Sequence, residues 1–246
     1  MSDPRTRLAV ALDLPSRDAL LAAARTLAPE VGVLKIGLEA FVSQGPDLVR
    51  DIAASGARVF LDLKLHDIPN TVGRAAAAAV STGASIVNCH AAGGAAMMQA
   101  FGEEARAAAV RAGLPRPTLV AVTVLTSLDA AALARIGLAG SPREAAVRLA
   151  VLAKESRLDG VVCSPEEIGA IRSACGKDFL LVVPGVRPAG AETGDQKRVA
   201  TPGEAIRAGA DLLFVGRPIL AAKDPVAAAR HIVAEIAAAM ATSPFA

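Results

Sequence analysis

The sequence predicts a single α/β domain over residues 1–246, a (β/α)8 barrel of parallel strands. Three observations carry that expectation. Eight short runs rich in Val, Ile and Leu alternate with eight Ala-rich segments of helical period. The runs are mostly apolar at successive positions, as strands covered on both faces are. A chain of 246 residues is the length of one closed barrel.

The elements follow in order. LAVALDL (8–14) is the first strand, and Ser16 is N-cap material for a helix over 16–28. VGVLKIG (31–37) precedes a helical pattern over 39–54, RVFLDLKL (58–65) one over 70–82, and SIVNCHA (85–91) one over 94–112. Gly56, Gly83 and Gly113 follow these three helices, where a left-handed residue is wanted. TLVAVTVLT (118–126) is the fifth strand, and Ser141-Pro142 opens a helix over 142–157. GVVCS (160–164) runs into Ser164-Pro165 and a helix over 165–174. FLLVVPGV (179–186) is followed by a polar, Gly-rich loop over 187–201. Thr201-Pro202 then opens 202–208, which Gly209 closes. LLFVGR (212–217) is the eighth strand, and Asp224-Pro225 opens the last helix, 225–239. An open, doubly wound sheet is the alternative, but no GxGxxG follows the first strand.

Composition narrows the function. With no Trp, no Tyr and six Phe, the core must be built from small aliphatic residues. A net charge of +2 with scattered Lys and Arg argues against a nucleic-acid partner. Three distant cysteines without a CxxC imply no disulfide framework and a reducing cytoplasm. Cys89 and Cys163 read as small core fillers. The N-terminus has no long apolar core of a signal peptide, since Asp13 interrupts it. Residues 75–102 carry no Asp, Glu, Lys or Arg, yet Ala, Gly and polar residues such as Ser81, Thr82, Asn88 and His90 fit helix, turn and strand better than a membrane span. No His or Cys cluster has metal-ligand spacing.

In such a barrel the chemistry sits at the C-terminal ends of the strands. There the sequence places Asp13, Lys35, Asp62, Lys64, Asp67, Asn88, His90, Thr126, Ser127, Ser164, Arg187, Gly216 and Arg217. Asp62 and Lys64 are two apart and share the interior face of one strand, while Asp67 lies past its end and can swing back. Acids on both sides favour an ammonium. Such a set is either a structural ion pair or a catalytic array, and the run DLKLHDIPNT favours catalysis. Arg187 and Gly216-Arg217 follow strands seven and eight, the usual phosphate corner of this fold; each Arg alone fits a helix cap equally well. Gln196 lies between them. Thr126 and Ser127 suit either a planar heterocycle or a cap, and His90 reads as a structural group.

DLKLHDIPNT, ALD (11–13), LKIG (34–37), HAAGG (90–94), LTS (125–127), PGVR (184–187), GDQ (194–196) and VGRP (215–218), in that order, resemble the orotidine 5′-monophosphate decarboxylase family, bacterial type. The resemblance implies conversion of orotidine 5′-phosphate to UMP and CO2 by a cytoplasmic homodimer without metal or organic cofactor. It implies a catalytic set of Lys35, Asp62, Lys64 and Asp67, with Lys64 the proton donor. Asp67, Ile68 and Thr71 are expected to reach the partner's site. Asp13 and Lys35 would hold ribose hydroxyls, Thr126 and Ser127 the pyrimidine, and Arg187, Gln196, Gly216 and Arg217 the phosphate. Two rivals are an Mg²⁺-dependent sugar-phosphate decarboxylase on a similar barrel, such as 3-keto-gulonate 6-phosphate decarboxylase, and a non-catalytic phosphate-ligand sensor. HDIPNT and Thr126-Ser127 favour the pyrimidine enzyme.

Overall fold

In the computed structural model, which describes residues 3–188 and 200–245, eight parallel strands close on themselves in sequence order. They are β1 (Leu8–Ala11), β2 (Val33–Gly37), β3 (Val59–Leu65), β4 (Ile86–His90), β5 (Thr118–Val122), β6 (Gly160–Val162), β7 (Leu180–Val183) and β8 (Leu212–Val215). β1 pairs with both β2 and β8, which closes the ring and removes both sheet edges.

Alternation along each strand sorts the side chains into two layers. Ala9, Val33, Phe60, Ile86, Val120, Val122, Val162, Val182, Leu212 and Phe214 fill the barrel. The intervening residues face the helices in a second, larger core. With no Trp or Tyr in the chain, the two phenylalanines take up the central volume: Phe60 and Phe214 lie 5.1 Å apart, tilted 56°. All three cysteines are buried free thiols. Among the described residues, no helix is long and apolar enough to cross a membrane.

The capping residues behave as their chemistry requires. Ser16 accepts from Ala19 N–H and Asp224 from Ala227 N–H, while Ser141, Ser164 and Thr201 form capping boxes with Glu144, Glu167 and Glu204. Four details depart from the sequence expectation. The helical pattern 39–54 is two helices, Leu38–Gln44 and Pro46–Ala54, because Gly45 adopts φ 72° and Pro46 starts afresh. Residues 165–174 divide into a 3-10 turn, Pro165–Glu167, and a helix, Ile168–Cys175. A short helix, Ala130–Arg135, and another, Arg217–Leu220, were not expected. Strands one, five and seven end before their apolar runs do. Beyond the strand ends the runs continue because Leu12, Val124 and Val186 still pack into the outer core, while Leu12 and Thr123 each make one last backbone hydrogen bond to the neighbouring strand. Thr126 and Ser127 therefore stand on a loop rather than at a strand end.

Gly160 opens β6 against β7, and a Cβ built there would lie against the Leu180 carbonyl oxygen and 2.5 Å from Leu180 Cβ. Gly160→Ala is expected to cost about 3 kcal/mol, as overpacking against backbone does, read from the urea midpoint. Gly169→Ala, exposed on a helix with nothing within 4 Å of the added carbon, should instead stabilise by about 0.5 kcal/mol. Equal effects at the two sites would contradict this packing.

Candidate active site

The layer above the apolar filling is polar on three adjacent strands. Lys35 follows Val33 by two residues, Asp62 follows Phe60, and Asn88 follows Ile86, so all three point into the barrel. All are buried.

Charges alternate along this layer. Lys35 Nζ lies 3.4 Å from Asp13 Oδ1 and 3.9 Å from Asp62 Oδ2. Lys64 Nζ lies 2.7 Å from Asp62 Oδ1, which also accepts from Asn88 Nδ2 at 2.7 Å. The order Asp13–Lys35–Asp62–Lys64 runs from the solvent above β1 to the mouth at β3. The inner side chains are 11 % (Lys35) and 10 % (Asp62) exposed, whereas Lys64 keeps 39 %. Desolvating charges is costly, and such a row is weak as a stability device. Gly37 makes room for it: a Cβ there would come 2.8 Å from Lys35 Nζ. Asn88 was legible only as a polar strand end; the period-two pair Ile86/Asn88, parallel to Phe60/Asp62, was the available signal.

Lys64 and Asp62 line a cavity of about 210 Å³ whose other walls include Val122, Val124, Thr126, Val162, Cys163 and Phe214. It has an apolar floor, a charged wall and polar Thr126 opposite. Thr126 is thus brought to the site. Ser127 is exposed and does not line the cavity. Asp13 stands two residues beyond β1, exposed, and Gly216 lies beside it: a Cβ on Gly216 would sit 3.7 Å from Asp13 Oδ2. Arg187, half-buried, follows β7, and its backbone N–H donates to the Ala200 carbonyl at 3.0 Å beside the Val186–Ala200 bridge. Burial first, and the neighbouring Arg217 second, lower the Arg187 pKa from its ordinary value. Two guanidiniums therefore share one corner after strands seven and eight. Gln196 lies outside the described residues.

Asp67, Ile68 and Thr71 are exposed. Asp67 does not swing back to Lys64; its carboxylate accepts from Ile68 N–H at 2.6 Å. Ile68 is 66 % exposed. His66 and His90 stack at 5.4 Å beside the mouth. His90 has its pKa lowered by burial first, then by His66 and Lys64. Among the described residues, no group of three His, Cys, Asp or Glu side chains is placed to hold a metal ion.

A larger cavity, about 910 Å³, opens at the other end of the barrel, where the strands begin. Three cations in its wall serve the fold. Arg7 pairs with Asp211 at 2.9 Å, Arg116 with Asp159 at 2.5 Å, and Lys154 donates to the Cys175 carbonyl at 2.9 Å. Size alone would select this cavity, but the convergent charges and the strand C-termini select the smaller one.

Comparison with known proteins identifies the family of the chain. Residues 6–232 match the family described as "Orotidine 5'-phosphate decarboxylase / HUMPS family". The chain is 57 % identical over 231 residues to "Orotidine 5'-phosphate decarboxylase" of Anaeromyxobacter dehalogenans, covering 94 % of this chain and 98 % of the relative. It is 53 % identical over 233 residues to the protein of that name from Moorella thermoacetica, covering 94 % and 92 %. The crystal structure of orotidine 5'-phosphate decarboxylase from Lactobacillus acidophilus superposes with a TM-score of 0.80 at 37 % identity, covering 93 % and 98 %.

The lowered pKa of His90 gives a pH dependence. Its folded pKa is depressed, so its contribution to stability is present above the unfolded value near 6.5 and is lost as pH falls through the folded value. The urea midpoint of the wild type should therefore fall more between pH 7.5 and 5.5 than that of His90→Asn. Parallel losses would exclude His90 as the source.

Proposed function

Because the chain belongs to the orotidine 5′-phosphate decarboxylase / HUMPS family, we propose that its charged barrel mouth is the site that turns orotidine 5′-phosphate into UMP and CO2. The enzyme is a carboxy-lyase of pyrimidine biosynthesis. The observation that carries the site assignment is the row Asp13–Lys35–Asp62–Lys64 ending on a cavity with an apolar floor.

The chemistry explains why such a row is needed. When the C6–carboxylate bond breaks, its electron pair stays on C6 in the ring plane, orthogonal to the π system. No electron sink is available. Enzymes lower barriers by roughly 8–23 kcal/mol, and this reaction needs the upper end. Lys64 faces the forming lone pair with a fixed positive charge and then transfers an Nζ proton to C6. Asp62, held in place by Lys64 and Asn88, sets a carboxylate near the substrate's own. That repulsion ends when CO2 departs, although its weight in such reactions is contested. Asp13 and Lys35 hold ribose hydroxyls, Thr126 on the cavity wall faces the pyrimidine with Ser127 next to it in the loop, and Arg187, Gln196, Gly216 and Arg217 grip the phosphate. The grip supplies binding energy remote from the reacting bond.

Asp67, Ile68 and Thr71 act in the partner's site of a homodimer. Their exposure supports this, as do Leu38 (58 % exposed) and Val42 (75 %) on the helix after the neighbouring strand. Surface isoleucine, leucine and valine of this exposure suit an interface. The buried free thiols suit a reducing cytoplasm.

Loss of pyrimidine absorbance should follow decarboxylation at the same rate with and without EDTA; loss of rate with EDTA would favour the Mg²⁺-dependent rival. Lys64→Ala should abolish turnover while UMP still binds, and near-normal turnover would refute the mechanism. Arg217→Ala should raise KM far more than it lowers kcat; an unchanged KM would remove it from the phosphate site. For the dimer, Lys64→Ala and Asp67→Ala chains, each inactive alone, should regain about a quarter of wild-type activity when refolded together, since half the dimers are hybrids with one intact site. No recovery would place Asp67 elsewhere.

A further inference from the structure

β3 and β4 pair in register to Leu61↔Val87 and again at Leu65↔Cys89. Four steps along β3 therefore match two along β4, and the surplus lies opposite Asn88. Within this bulge Lys64 stands at φ 52°, a left-handed conformation that non-glycine residues adopt only where the surroundings enforce it. A bulge also takes N–H groups out of the ladder, and a buried N–H needs an acceptor. Asn88, 1 % exposed, supplies that acceptor from its side chain: Lys64 N–H donates to Asn88 Oδ1 at 2.8 Å. The other end of the same amide donates to Asp62 Oδ1 at 2.7 Å, on the oxygen that receives Lys64 Nζ.

We propose that Asn88 is a positioning residue for the decarboxylation, whose single amide fixes the left-handed Lys64 backbone and the Asp62 carboxylate together and so aims the ammonium at the cavity. The role rests on the functional reading above. The amide is suited to it because one planar head carries both an acceptor and a donor. Only one orientation serves both partners, since Lys64 N–H requires the oxygen and Asp62 requires the nitrogen. Alanine at this position would provide neither contact. Aspartate would keep the acceptor but set a carboxylate against Asp62. Lys64 needs such a guide because its long side chain is flexible and half-exposed; without a fixed backbone its ammonium would sample solvent as well as the cavity.

The test compares wild type, Asn88→Ala, Asn88→Asp and a control, Thr123→Val. Thr123 is equally buried and donates to the Val162 carbonyl at 2.9 Å, away from the charged row. Both Asn88 variants should lose kcat by on the order of 100-fold, the scale of a small misplacement of a reacting group, with KM within about threefold. Thr123→Val should lower Tm and keep kcat within about twofold. Asn88→Ala with near-normal kcat, or activity losses that merely track Tm across all three variants, would overturn the proposal. Hydrogen exchange of the Lys64 amide in the wild type decides the case if neither Asn88 variant folds. Slow exchange is expected, and exchange at the rate of an open loop amide would refute the clamp. Absence of turnover in the wild type would instead sink the functional reading and leave the exchange result to judge the clamp by itself.

Discussion

Asp62 is the point on which the rest of the mouth depends. It is nearly buried, it is an acid, and three groups converge on it: Lys64 and Asn88 at 2.7 Å on one oxygen, and Lys35 at 3.9 Å on the other. A buried carboxylate is tolerable only with such company. The requirement propagates outward. Lys35, once buried, needs Asp13 as its second acid, and Gly37 must lack a side chain for the ammonium to fit. Lys64 must bend into a left-handed turn, and Asn88 must catch its N–H. Replacing the row by packed hydrophobic residues would cost the fold little or nothing. Its presence is therefore a statement about chemistry rather than about stability.

Stability is handled at the opposite end. Arg172 is buried beneath the barrel and donates to the carbonyls of Gly176, Lys177, Phe179 and Gly209 and to Asp211. Asp211 in turn accepts from Leu181 N–H and pairs with Arg7. One guanidinium thus ties the stretch from Ile168–Cys175 to β7 and the start of β8. Here Arg7, Arg116, Lys154, Asp159 and Asp211 have fixed partners within the chain, so much of the charge that borders the larger cavity is already engaged. At the mouth, Lys64 remains two-fifths exposed and faces open space. That contrast separates a charged network that holds the fold from one prepared for a ligand, and cavity size does not reveal it.

Much of this was legible in the sequence. The eight apolar runs are the eight strands, and the S-P and T-P pairs start helices as capping chemistry requires. The spacing of Asp62 and Lys64 placed both at the mouth, and the strand ends gathered Asp13, Lys35, Arg187 and Arg217 at the same end. What could not be read has a common cause. Apolar runs report burial, not hydrogen bonding, so residues 124–126 looked like strand although they lie in the loop after β5. Periodicity assumes regular pairing, so the bulge at Asp62–Lys64 was invisible, and with it the reason for Asn88. The spacing allowed Asp67 to swing back to Lys64, but it follows the end of β3 on an exposed turn, where its carboxylate accepts from Ile68 N–H instead.

The charges of the proposed reaction also explain why Lys64, and not Lys35, stands at the edge. The row of two acids and two ammonium groups is neutral, and the substrate carboxylate makes the site's total −1. Loss of CO2 leaves that charge unchanged but moves it onto C6, next to Lys64. Proton transfer then empties the negative charge from the ring and leaves a neutral amine beside Asp62. The site is still at −1, now carried by the unmatched acid, and turnover requires a proton from outside. Lys35, 11 % exposed and hemmed between Asp13 and Asp62, could not be recharged without opening the row. Lys64, with 39 % of its side chain exposed, meets solvent once product leaves. A proton donor that must be renewed each cycle belongs where buried acids hold its base and water reaches its tip. The bulge of β3 provides that position by carrying the chain from the buried Asp62 to the open mouth within two residues.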